Sequence, residues 1–87
     1  MFKIGDKVKV IKAFKNCSEL SWISYLMDET IGKIGSIMSI ETSDFPDDSS
    51  IFEVKFDVPL KKGKYNYDKF YYLPESLKKI NARKRFG

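Results

Sequence analysis

Two short segments, each containing glycine, limit what this chain can fold into. FKIGDKVKVIK (residues 2 to 12) and GKIGSIMSI (residues 32 to 40) both alternate apolar and polar side chains. A period of two marks a half-exposed antiparallel strand, because successive side chains point to opposite faces. Gly5-Asp6 makes a turn before the first strand, whose Val8 and Val10 face inward while Lys7 and Lys9 face water. Ile4 is expected to join the inner side. Gly35 in the second strand allows a bend or a close strand crossing. The run Ile51 to Val58 alternates most cleanly, with Phe52, Val54, Phe56 and Val58 on one face and Glu53, Lys55 and Asp57 on the other. Val10, Ile37, Val54, Phe56 and Leu73 are the predicted core residues. Strands this short, bent at glycines, predict a small β-barrel, a shape that more often binds than catalyses.

The rest of the chain fills in that plan. Leu20, Ile23 and Met27 fall at i, i+3 and i+7, and Trp22 with Leu26 at i, i+4. That spacing predicts a short helix between the first two strands, capped by Ser18, favoured by Glu19 and ending by about residue 28. Trp22 has two readings, packing over the core or an exposed binding platform. Residues 42 to 50 form a polar, acidic turn. Pro59 is expected to end the third strand, with LKKGKYNYD following as a long basic loop. Phe70 to Leu73 reads as a fourth strand, Pro74 to Ser76 as a helical turn with proline at its first position, and Leu77 to Ile80 as a short closing strand. Residues 81 to 87 form a basic tail beyond a single domain of residues 1 to 80.

Composition narrows the function. The 87 residues are 43% apolar and 15% aromatic, enough for one small core. There is one cysteine, Cys17, and no histidine. A disulfide within the chain, a Cys/His zinc site and a histidine-based catalytic unit are all excluded. Cys17 is expected to be a half-buried small residue. Asp44, Asp47 and Asp48 lack the spacing of a Ca²⁺ loop, and Pro46 interrupts them. No metal, cofactor or catalytic residue is therefore expected. No apolar run reaches the ~18 residues of a membrane span, and charges in MFKIGDKVKV argue against a signal peptide. The expected location is the cytoplasm.

Five short strands with a one-turn helix before the last is the layout of SH3-like barrels. GDKVKVI followed by GKIGSI resembles the opening of KOW-type SH3-like domains. Trp22, Met27-Asp28, Ile31-Gly32-Lys33, Gly35 and Ile37, with Tyr71-Tyr72-Leu73-Pro74-Glu75-Ser76-Leu77, resemble small proteins of bacteriophages and mobile elements. About twenty residues separate the first two strands, where KOW domains have a short loop. The resemblance implies a mainly β fold, a five-stranded SH3-like barrel with one short helix inserted between strands 1 and 2. It also implies a non-enzymatic module acting by protein–protein interaction, for instance by inhibiting a host defence enzyme, in host cytoplasm if phage-encoded. The positions carrying it are structural glycines and core residues, so it transfers no site residue.

The formal charge of +4 is unevenly spread: residues 1 to 16 carry +4, residues 17 to 60 carry −7 and residues 61 to 87 carry +7. If the first and last strands pair, Lys7, Lys9, Lys12, Lys78, Lys79, Arg83, Lys84 and Arg85 form one positive face. Such a face suits nucleic acid, with Tyr65, Tyr67 and Tyr71 as stacking surfaces. Charge favours that reading, while the resemblance favours a protein partner, which the uneven charge would orient, with Trp22 and Tyr25 as further contact candidates. A third reading is that lysines merely guard edge strands against aggregation.

Overall fold

A computed structural model describes residues 2–17, 20–42 and 50–80. Its elements are β1 (Lys7–Val10), α1 (Ser24–Met27), a 3₁₀ turn (Asp28–Thr30), β2 (Ile34–Thr42), β3 (Ser50–Lys62), β4 (Tyr65–Tyr72), a second 3₁₀ turn (Pro74–Ser76) and β5 (Leu77–Lys79). The strands form one antiparallel sheet in the order β4-β3-β2-β1-β5. β4 and β5 are its edges, and among the described residues no pairing joins them, so the sheet is open. Among the described residues the chain is mainly β, with one short helix.

The alternating segments put their apolar side chains on one side. Val8, Val10, Ile37, Phe52, Val54, Phe56, Tyr72, Leu73 and Leu77 share one buried cluster with Phe14 and Met27. Ile37 and Ile40 lie three apart, yet both turn toward the core. A bulge explains it: Ile37 faces Val54 and Ser39 faces Glu53, which leaves Met38 as an extra, exposed residue. Gly35 of β2 lies tight against β3. A Cβ there would lie 2.4 Å from the Lys55 carbonyl oxygen, closer than any side chain tolerates.

Five expectations need correction. Ile4 is 65% exposed, because the Lys3–Asp6 turn carries it at its tip, and Phe2 packs edge-on against Phe52 instead. The helix is one turn, Ser24–Met27, and Leu20 to Ile23 lie outside it. The proposed cap residues, Ser18 and Glu19, lie outside the described residues. Pro59 does not end β3. The strand runs on to Lys62 and returns through the two-residue link Gly63-Lys64, with Lys62 facing Tyr65 and Gly63 at φ +62°. The expected basic loop is thus the tip of a long hairpin, and β4 begins at Tyr65 rather than Phe70. Proline is tolerated because it sits in a large bulge: pairing passes from Lys55–Lys69 directly to Leu60–Tyr67, so Phe56 to Pro59 face Asp68 alone. The same bulge breaks the alternation and turns Val58, expected inward, to 68% exposure.

Candidate binding faces

β1 lies between β2 and β5, so the basic segments at the two ends of the described chain meet. Lys9 stands opposite Lys78, and Val8 opposite Lys79. Directly opposed like charges on paired strands repel and destabilise a sheet. The structure offsets this for some lysines and not for others. Lys7 Nζ lies 2.6 Å from the Asp57 carboxylate, and Lys79 Nζ lies 3.4 Å from Asp6. Lys69 pairs with Glu53 at 3.4 Å. Lys9, Lys78 and Lys55 are exposed, and among the described residues none has an acidic partner. Lys12 is exposed in the segment after β1. Arg83, Lys84 and Arg85 lie outside the described residues, as does the acidic stretch 43–49.

Asp6 anchors the turn that leads into β1. Partial burial pushes its carboxyl pKa up, but the Lys3 backbone N–H, donating at 3.0 Å, and the Lys79 ammonium outweigh that, so the net shift is down. Its contribution to stability is therefore present above the usual carboxylate range and is lost as pH falls through the lowered value.

The aromatic candidates divide. Trp22 is half-buried: its ring meets Phe14 edge-on at 5.2 Å and tilts against Tyr72 at 5.9 Å, while its indole N–H donates to Asp28 Oδ1 at 2.6 Å. It closes one end of the core rather than offering a free platform. Tyr25, on the helix, is 72% exposed. Tyr65 is exposed at the hairpin tip and Tyr67 is half-buried. Tyr67 stacks on Phe70 at 5.8 Å, and Phe70 meets core Phe56 at 6.2 Å. The two tyrosines thus belong to a strand tied by rings to the core. Beside them, Lys62 pairs with Glu29 of the first 3₁₀ turn.

Sequence reasoning missed one feature. A cleft of about 340 Å³ is lined by Gly32, Lys33, Ile34, Asp57 and Val58. Lys33 Nζ donates to the Val58 carbonyl oxygen at 3.2 Å, and Asp57 is held by Lys7. Ile34 and Val58 are exposed there. The one sequence signal was Pro59, whose missing N–H could have marked a bulge beside Val58.

Among the described residues no cluster of Cys, Asp or Glu is arranged to hold a metal ion, and no helix is long and apolar enough to cross a membrane. No protein-family model matches the chain, and neither the curated proteins nor the solved structures contain a match.

Proposed function

We propose that this chain is a non-enzymatic binding module with an SH3-like barrel arrangement, and that it acts by protein–protein interaction in the cytoplasm. β1 between β2 and β5, with a 3₁₀ turn leading into β5, supports the fold reading. One observation carries the functional one. Lys9 and Lys78 oppose each other without a counter-ion among the described residues, in register with Ile34 of an aliphatic cleft. Repulsion of that kind is relieved when an anionic partner docks, and the adjoining apolar surface suits a protein. The resemblance to small phage and mobile-element proteins makes occlusion of a host protein the reading's specific form.

A second reading, nucleic-acid binding, is favoured by the row Lys7–Ser36–Lys55–Lys69 across four strands. Two of its three lysines are already ion-paired, which weakens it. The test is capture on the immobilised chain from bacterial lysate, with and without nuclease, beside anisotropy titrations of random DNA and RNA at graded salt. Stoichiometric protein retained after nuclease treatment supports the first reading. Nucleic-acid affinity that falls steeply with salt, and capture abolished by nuclease, supports the second.

A further inference from the structure

We propose that the cleft at the β3 bulge, with Lys9 and Lys78 beside it, binds an acidic protein segment that carries an aliphatic anchor. This rests on the protein-binding reading and names its surface and the chemistry of its partner.

The site is built by the bulge. Four residues of β3 face one of β4, and Val58 is turned outward against its strand parity. Val58, 68% exposed, and Ile34, 41% exposed, then leave an apolar surface open to solvent. Directly paired residues share a face of the sheet. Ile34, Lys9 and Lys78 therefore make one outward row, with strands about 4.8 Å apart. An aliphatic side chain in the cleft would leave flanking carboxylates within reach of both ammonium groups.

Electrostatics selects the sign of the partner. Asp57, the one acid among the described residues that line the cleft, is already engaged by Lys7, so it offers little repulsion to an anion. The Lys33 ammonium donates to a neutral carbonyl oxygen and keeps its charge available to a ligand.

Side-chain chemistry selects the class. Single-stranded nucleic acids are typically bound with rings on which bases stack, and the described residues that line the cleft include none. Tyr71, the aromatic candidate on the outward face, faces Glu53 in the row that contains Ser39, across the sheet from Lys9.

The experiment is an amide-resolved NMR titration of the whole chain with three probes. One is a short peptide of Asp and Glu around a central Leu-Ile pair. The second has Gly-Gly at that centre, and the third is an oligothymidine of matched charge. The Leu-Ile peptide is expected to shift the amides of Lys9, Ile34, Val58 and Lys78. It should bind roughly tenfold more tightly than its Gly-Gly counterpart, the advantage that burying one aliphatic side chain confers. Val58→Ser, at an exposed site, should erase that advantage yet keep the weak, salt-sensitive binding. Lys9→Glu with Lys78→Glu should remove both. Amide dispersion of each variant reports whether it is folded. Equal binding of the two peptides, shifts scattered over the β3–β4 hairpin lysines, or no binding by either would overturn the proposal. Tighter binding of the oligothymidine with shifts at Tyr71 would overturn it in favour of the second reading. A captured protein partner whose retention is unaffected by Val58→Ser would overturn the cleft alone and leave the protein-binding reading standing.

Discussion

Ser76 is fully buried, and its hydroxyl has no hydrogen-bond partner among the described residues. Its backbone accounts for its position: the amide donates to the Leu73 carbonyl oxygen and the carbonyl accepts from Ile11. Burying an unpaired hydroxyl costs free energy that a methyl group does not. Ser76→Ala should therefore leave stability unchanged or raise it by up to ~1 kcal/mol, as read by urea denaturation. Tyr72 is the opposite case. Thr30 Oγ1 donates to the Met27 carbonyl oxygen at 2.7 Å, so its single proton is used. Tyr72 must then donate across the 2.6 Å contact to Thr30. Burial pushes the Tyr72 phenol well above its ordinary range. In the unfolded chain the phenol ionises near about pH 10. Its contribution to stability is thus whole below that pH and is lost as pH rises from there toward the folded value. Tyr72→Phe should cost about 0.5–1.5 kcal/mol at neutral pH and make the fall in stability above pH ~10 shallower. Unfolding curves across the alkaline range check both. An unchanged alkaline slope would show that Tyr72 does not titrate as buried.

At the scale of elements, the β2–β3 crossing carries the most constraint. The atoms that a Gly35 Cβ would strike are the Lys55 carbonyl group and a Val54 methyl carbon. Backbone cannot swing aside as a long side chain can. Gly35→Ala should cost about 1–3 kcal/mol through displaced strands, measured as a lowered denaturation midpoint. A loss below about 0.5 kcal/mol, the size common at surface sites, would mean the strands lie farther apart. The β3–β4 hairpin is held differently. Its near half is locked into the core by Phe52, Val54 and Tyr72. Its far half is held by Leu60, the Tyr67–Phe70 stack and the Lys62–Glu29 ion pair. The bulge between them concentrates irregular backbone beside the cleft.

For the whole molecule, one cluster links all five strands to the segment around α1. Leu77 of β5, Val8 and Val10 of β1, Ile37 of β2, Val54 of β3, Tyr72 of β4 and Met27 of α1 are all members. Phe14 and Trp22 extend it by ring contacts. No subset can open without exposing the remainder, so unfolding should be two-state. Trp22 is the chain's single tryptophan and lies against that cluster. Its fluorescence and the far-ultraviolet circular dichroism should therefore change at the same urea concentration. Separate midpoints would show that the Trp22 segment detaches before the sheet melts.

Alternation alone, in Lys7 to Val10 and Ile51 to Phe56, determined which side chains face the core, because a strand's period of two leaves no other way to bury valine and phenylalanine together. Proline at its first position likewise marked the 3₁₀ turn before β5. The pairing of the first and last strands, which sets Lys9 opposite Lys78, was an expectation that came with the SH3-like layout and not with periodicity. What periodicity could not reveal was where the ladder is interrupted. The extra residue Met38 and the stretch Phe56 to Pro59 shift register through long-range pairing, and only the partner strand determines how many residues stand opposite. Val58 went outward for that reason, at the bulge, whereas Ile4 went outward at the tip of a local turn. Ion pairing is tertiary too: Lys7 meets Asp57 across β2, fifty positions along the chain. The sequence by itself therefore determined a small, mainly β fold, and the layout it resembles supplied the expectation that its first and last strands meet. Tertiary structure alone decided which lysines keep their charge available and opened an aliphatic cleft beside them, because both depend on contacts between residues far apart in the chain.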